Sequence, residues 1–506
     1  MSKKQQEALL NYLQQQIQED DMKKIDQLDV NQAQAEFSWT LRDLLTATKG
    51  DLIGPIAESN ADIKFTSIST DSRTIQPGAL YIAIKGERFD GHDYISQAIK
   101  QGAAAVLVSQ VNGCILPGVV VEDTRIALGH FACWHRQNMP VKKVVAVTGS
   151  NGKTTVKTML NEIFSGVAPT LATQGNLNND FGVPRTLLNI RPHHEYAIIE
   201  MGANHLKEIG YLTALALPDI AIVNNASSAH LEGFGSLQGI IDTKGEIYQG
   251  LNQLPNKDPG VAIINTDSAG FDDWVKSLDE WGVNQRLYFG THEDADIKLC
   301  SVESADEYGL DVVIQYQQEL HCIQLAVLGS HNAMNAAACT AIALAADLNW
   351  AQIKSGLQKF SGVAGRLQKK KIKTGWLLDD SYNANPESLK AGIDAVTSLE
   401  GTTILCIGAM AEVGETSEQA HQEIAEFAVQ KGADYLFSFG EDAKNMPQFF
   451  GKNGQYFTSH KGMVNQVLAL LKQAQDDNQT LNVLVKGSRS AAMEKVVAPI
   501  LEIMQP

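Results

Sequence analysis

Apolar and polar positions alternate along this chain in four stretches of different rhythm. Residues 1–36 are rich in Gln, Asp and Glu, with Leu9, Leu13 and Ile17 at helical spacing. That stretch reads equally as a short amphipathic helix or as a solvated, disordered extension. From 39 to about 140 the pattern shifts to short β-rich runs, with strands expected at 79–84 and 104–108 and helical segments between them. Longer, continuously apolar runs follow at 144–147, 196–200, 220–224, 261–265 and 324–328. Buried strands of this kind, alternating with helical segments, predict a largely parallel sheet covered by helices. A third set begins near 362–366, with strands expected at 376–379, 403–407, 435–438 and 483–485. No internal repeat of fixed period interrupts the series. The expected fold class is α/β, in three domains at 37–141, 142–363 and 364–506 behind the extension.

Length supports that division. At 506 residues the chain exceeds the ~250–300 at which single cores stop growing. An apolar fraction of 44% and a charged fraction of 20% are those of a globular protein in water. A net charge of −17 argues against a nucleic-acid carrier, because phosphate backbones are gripped by clustered Lys and Arg. It does not exclude a local anion site made of backbone amides and a metal ion. The six cysteines show no C-x-x-C pair, so neither a zinc site nor a redox motif is expected; buried thiols in a reducing compartment are. The polar N-terminus lacks a signal-peptide apolar run, and the Ala-rich stretch 336–348 is too short for a bilayer. A cytosolic protein without membrane insertion is expected.

The strongest chemical signal is Thr148-Gly149-Ser150-Asn151-Gly152-Lys153-Thr154-Thr155, which leaves a strand and opens a helix. Glycines let backbone amides turn inward on phosphate oxygens, and the helix N-terminus adds favourable partial charge. Lys153 is placed to reach the terminal phosphates, and Thr154 to hold magnesium through its hydroxyl. The standard motif has a glycine five residues before Gly152, where this chain has Val147; the loop is a shortened variant. A chance Gly-Lys-Thr turn would not need the strand before it, the helix after it or both glycines.

Other polar groups cluster where strands end, the ligand edge of an α/β sheet. Glu200 closes an apolar strand and could complete a magnesium shell, although a solvated strand end is the plainer reading. His230 and Lys244 carry no signal of their own. Asn332 and Asn335, at i and i+3, could offer amide edges to a purine base or simply cap the helix. Asp379-Asp380-Ser381-Tyr382-Asn383-Ala384-Asn385-Pro386 and Lys486-Gly487-Ser488-Arg489 follow strands of the third set. The Asp71-Ser72-Arg73 turn and the loop 85–92 have the composition of ordinary surface turns.

Taken in order, these segments resemble a Mur ligase from about residue 39 to the C-terminus. The phosphate loop carries the resemblance, with Gly175-Asn176-Leu177-Asn178-Asn179-Asp180-Phe181-Gly182-Val183-Pro184, Ala229-His230-Leu231-Glu232-Gly233-Phe234-Gly235, and the 379–385 and 486–489 segments. The Asp-Asn-Pro-Arg signature of the member that adds meso-diaminopimelate is absent, which points to the dipeptide-adding member. The family implies a small UDP-binding domain, a central P-loop ATPase-type domain and a C-terminal Rossmann-like domain. It implies a monomer that phosphorylates the terminal carboxylate of UDP-N-acetylmuramoyl-tripeptide with ATP and passes the acyl group to D-alanyl-D-alanine. Two magnesium ions are implied, one on Thr154 and Glu200, the second on His230 and a carbamylated Lys244. ATP contacts are implied at Gly149, Ser150, Asn151, Gly152, Lys153, Thr154 and Thr155, adenine contacts at Asn335 and Asn332, and further nucleotide contacts at Arg366 and Asp380. Substrate contacts are implied at Ser72, Arg73, Asn178, Asn179, Asn383, Asn385, Lys486 and Arg489. A sister ligase adding another amino acid is the nearest alternative. A P-loop kinase, which would need an Arg-rich lid absent here, and a nucleotide-regulated binding protein lie further off.

Overall fold

Val144, Val145, Ala146 and Val147 have no exposed surface, so the strand they form is covered on both faces, as a continuous apolar run requires. The computed structural model describes residues 37–54, 61–86, 89–111, 116–227, 231–254, 257–305, 309–411 and 417–506. The expected extension at 1–36 therefore lies outside the described residues, as do Cys114 and His230.

The largest sheet runs, edge to edge, Glu319–Leu325, Gly309–Tyr316, Ile297–Ala305, Gln285–Gly290, Val261–Asn265, Ile220–Val223, Lys143–Thr148, Tyr196–Glu200, Thr170–Ala172. Pairing is parallel from Thr170–Ala172 as far as Ile297–Ala305. Strand order reverses at Lys143–Thr148, with later strands added on both its sides, so its carboxyl end is a topological switch point. The phosphate loop leaves from that end.

The expected parallel strand at 324–328 is corrected. Its first residues close the strand Glu319–Leu325, which runs antiparallel to Gly309–Tyr316, itself antiparallel to Ile297–Ala305. Leu310, Val312, Ile314, Ile323 and Leu325 are buried while their alternate neighbours face outward, the signature of a sheet solvated on one face. A search for continuous apolar runs passes over such alternation. The same face explains a second correction: Cys133, Cys339 and Cys406 are buried as expected, but Cys300 and Cys322 are exposed on this antiparallel edge.

The C-terminal sheet has the order Gln368–Ile372, Gly375–Asp380, Leu481–Lys486, Thr402–Gly408, Tyr435–Phe439, Gly454–Phe457, parallel except for its first pair. The N-terminal sheet runs Asp51–Ile53, Gly118–Val120, Ala105–Val108, Ala79–Ile82, Ser67–Ser69. Helix Thr124–Asn138 fixes this first unit onto the central one, because one apolar cluster spans both. Its buried Arg136 donates to the carbonyls of Ala216 and Leu217, at the end of helix Glu208–Ala216, and to Asp219 at 3.1 Å. A cation there satisfies orphan carbonyls and the helix dipole together. Among the described residues no helix is long and apolar enough to cross a membrane.

Candidate active site

The loop after Lys143–Thr148 keeps its shape through two glycines and a neighbouring strand end. Gly149 has φ +154° and Gly152 φ +80°, conformations that side chains with a Cβ rarely adopt. A Cβ at position 152 would also lie 2.5 Å from Asn224 Nδ2 and 2.6 Å from Asn335 Oδ1. Asn224 and Asn225, at the end of Ile220–Val223, hold the loop open. Ser150 N donates to the Asn225 carbonyl at 2.9 Å, Asn151 N to Asn225 Oδ1 at 2.8 Å, and Asn224 Nδ2 to the Asn151 carbonyl at 3.0 Å. Helix Lys153–Ser165 then begins at Gly152. Lys153 folds back on its own loop, its Nζ donating to the carbonyls of Gly149 at 2.6 Å and Ser150 at 3.3 Å. Burial holds its pKa down at about 8.

Glu200 ends its strand 2% exposed. Its Oε1 accepts from Thr154 Oγ1 at 3.1 Å and Asn178 Nδ2 at 2.9 Å, while the buried Oε2 has no partner among the described residues. A buried carboxylate oxygen without a donor is costly, and a hard cation removes that cost. Among the described residues no three His, Cys, Asp or Glu side chains converge on one point. One carboxylate, one hydroxyl, phosphate oxygens and water are nevertheless a usual magnesium shell, so the residues fit the ion. Lys244, in helix Leu237–Gly245, is 3% exposed. Burial first, and the charge of Lys153 second, push its pKa far below the usual lysine range. Burial thus favours its uncharged amine over the ammonium.

A cleft of about 670 Å³ gathers side chains from all three units. Ser150, Asn151, Gly152, Lys153, Thr155, Glu200 and Lys244 line it, together with Asn178, Asn179, Asn332 and Asn335 of the central unit and Arg366, Asp380, Asn383, Asn385 and Lys486 of the third. Several of these already have partners. Asn335 accepts from Asn224 Nδ2 at 2.9 Å and donates to Asn332 Oδ1 at 3.1 Å, so the pair braces the phosphate loop. Asn179 Oδ1 accepts from Gly182 N at 2.9 Å, where helix Gly182–Leu187 starts. Lys486 Nζ lies 2.6 Å from Asp380 Oδ2 and donates to the Asn383 carbonyl, a buried ion pair facing the cleft. The Arg366 guanidinium stacks 4.3 Å from the centre of the Tyr382 ring.

Three sequence-expected residues lie elsewhere. Ser72 is buried against Gln97 in the first unit, Arg73 is a largely exposed partner of Asp71, and the exposed Arg489 faces Glu494. None of the three lines the cleft. Sequence reasoning marks Asn224 and Asn225 only as a polar strand end without a role, and it missed the Arg125–Asp180 ion pair at 2.8 Å across the first two units and Glu387. Their signal was position, each at a strand end or a helix start on the ligand edge; Asp180 also lies within the 175–184 motif, which gave it no role of its own.

Comparison with known proteins places this geometry. The Mur ligase family catalytic domain matches residues 64–136, the Mur ligase middle domain 147–343 and the Mur ligase glutamate ligase domain 365–489. The chain belongs to the Mur ligase family. It is 39% identical over 468 residues to the UDP-N-acetylmuramoyl-tripeptide–D-alanyl-D-alanine ligase of Escherichia coli strain K12, covering 92% of this chain and 99% of that protein. A MurF structure from Acinetobacter baumannii aligns with TM-score 0.84 at 32% identity, over 92% of this chain and 99% of the other. A MurF ligase from Thermotoga maritima in complex with ADP aligns with TM-score 0.75 at 27% identity, over 86% and 97%. In this Mur ligase the middle-domain match contains the phosphate loop, Glu200, Lys244 and both cleft asparagines of helix Ser330–Ala345.

Proposed function

We propose that this Mur ligase joins D-alanyl-D-alanine to UDP-N-acetylmuramoyl-tripeptide, consuming ATP and forming ADP, in a cytoplasmic step of peptidoglycan precursor synthesis. The near full-length likeness to D-alanyl-D-alanine-adding ligases supports the substrate pair. The observation that carries the chemistry is one cleft lined by a phosphate loop, a carboxylate with an unpartnered oxygen and a buried lysine.

The terminal carboxylate of the tripeptide is a poor electrophile. Its oxygen attacks the γ-phosphorus of ATP, the bond to ADP breaks, and an acyl phosphate forms. The amine of the dipeptide then attacks the acyl carbon, phosphate departs and the amine proton is lost. Two anions meet in the first step, so cationic and N–H groups must offset their repulsion. The amides of Gly152 and Lys153, at the start of helix Lys153–Ser165, cradle the phosphates, and Lys153 exchanges its loop carbonyls for phosphate oxygens. Thr154 and Glu200 hold magnesium, which supplies charge neutralisation. Lys244, as its carbamate, and His230 hold the second ion. Asn332 and Asn335 lie towards the adenine, with Arg366 and Asp380 at the domain junction. Asn178, Asn179, Asn383, Asn385 and Lys486 serve the peptide substrates, while Ser72, Arg73 and the loop 85–92 serve the UDP end. Enclosure by the third unit keeps water from a hydrolysable acyl phosphate. The functional unit is a monomer.

Phosphate release measured with UDP-N-acetylmuramoyl-tripeptide and a panel of amines tests the assignment. Release should require both the UDP-peptide and D-alanyl-D-alanine. Equal turnover with L-lysine or glutamate would show a sister ligase instead, and release indifferent to any amine would show a binding switch.

A further inference from the structure

Asn151 is a loop residue whose side chain reaches into the third unit as well as its own. Its Oδ1 accepts from Asn385 Nδ2 at 2.8 Å, and its Nδ2 donates to Glu387 Oε2 at 2.7 Å and to Ser227 Oγ at 3.2 Å. Both Asn385 and Glu387 belong to the third unit, more than two hundred residues along the chain. Only one orientation of the Asn151 amide satisfies this set. Flipped, it would set two N–H groups together and turn a carbonyl oxygen on a carboxylate.

The partner end is equally fixed by local sequence. Asn385 is the N-cap of helix Pro386–Thr397, with Pro386 at the first helical position. Its Oδ1 accepts from Ser388 N at 2.8 Å, which leaves Nδ2 as the end free to face the loop. Glu387, in the first turn, projects from the same helix start. Asn-Pro-Glu-Ser thus builds a rigid fork of one donor and one charged acceptor, matched to the acceptor and donor of a single carboxamide. The other cleft carboxylates have different attachments: Asp180 holds Arg125, Asp380 holds Lys486, Glu208 accepts from the backbone N–H groups of Asn204 and His205, and Glu200 accepts from Thr154 and Asn178. Glu387 is bonded to the phosphate loop itself.

We propose that Asn151, Asn385 and Glu387 form a latch that holds the third unit closed over the phosphate loop, with Glu387 as a positioning residue. The latch reads the loop directly, because the backbone N–H of Asn151 fixes the phosphate loop against Asn225 Oδ1 while its side chain grips the closing unit. A loop in its phosphate-binding shape therefore favours closure, and closure favours that shape. The role in turnover rests on the ligase reading above; the role in closure does not.

Glu387→Ala removes the charged acceptor, whereas Glu387→Gln keeps an oxygen for the Asn151 amide and loses only the charge. The expected result is a roughly tenfold fall in kcat for Glu387→Ala, the worth of one charge-assisted hydrogen bond, with a weaker affinity for ADP, because closure and the phosphate-binding shape of the loop favour each other. Glu387→Gln should recover most of that loss. Asn151→Ala combined with Glu387→Ala should be no slower than Asn151→Ala alone, since both remove one interaction. Small-angle scattering of the ADP-bound proteins should give a larger radius of gyration for Glu387→Ala than for wild type and Glu387→Gln. Additive losses, an inactive Glu387→Gln, or identical scattering for Glu387→Ala and wild type would overturn the latch. A wild-type enzyme that turns over without D-alanyl-D-alanine would overturn the ligase reading alone, and scattering would still decide the latch.

Discussion

At Gly152 a missing side chain does most of the work. Its positive φ and the 2.5 Å and 2.6 Å approaches of Asn224 and Asn335 leave no room for a methyl group. Gly152→Ala should reshape the loop and weaken ADP binding by at least about tenfold, read by calorimetry, while the chain stays folded. Glu200 offers the complementary case, a group present with one oxygen unpartnered. Glu200→Gln should raise the magnesium concentration for half-maximal activity by roughly tenfold or more, because a hard ion loses its one buried carboxylate. Lys244→Ala should cost on the order of a hundredfold in kcat, as other lost electrostatic stabilisers do. Partial rescue by added short carboxylates would identify the carbamate. Full activity without rescue would remove Lys244 from the chemistry.

At the scale of elements, helix Thr124–Asn138 decides how the first unit meets the second. His135, buried in that seam, accepts from Trp39 Nε1 at 3.0 Å and lies 2.9 Å from the Ile190 carbonyl through its other nitrogen. Burial holds its pKa at about 4, against an ordinary value of 6.5. The unfolded chain therefore binds a proton between those values that the folded chain refuses. Stability should be full above pH 6.5 and fall as the pH drops towards 4, by up to roughly 3 kcal/mol from this residue. Urea midpoints across that window measure the slope, and His135→Gln should flatten part of it. His130 and His194, also held near 4, supply a remainder of the same sign. The elements themselves were legible where the sequence pattern was extreme. Continuous apolar runs became parallel strands except for that at 324–328, and the alternating strands at Ile297–Ala305 and Gly309–Tyr316 escaped, because alternate residues along them face solvent.

For the molecule as a whole, the cleft exists only because three units meet. Nucleotide binding should therefore stabilise the assembly: ADP at a hundred times its Kd adds ~2.7 kcal/mol to the unit that binds it. Calorimetric melting with and without ADP measures this, and Lys153→Ala should abolish the shift. Which transitions move shows how far the units melt together. If the third unit is latched to the loop, its melting should rise with that of the central unit.

Sequence alone determined the phosphate loop, the α/β alternation and the order of the family motifs, because each depends on neighbours a few residues apart. Gly149 and Gly152 permit the turn the loop needs, and an apolar run must be buried somewhere. Tertiary structure alone decided the partners. It set Asn224 and Asn225 against the loop, gave Lys486 to Asp380, and kept Ser72, Arg73 and Arg489 out of the cleft. It also buried Lys244 deeply enough to push its pKa well down and carried Glu387 across to Asn151. Those outcomes depend on desolvation and on contacts between residues up to 236 positions apart, which no local pattern encodes.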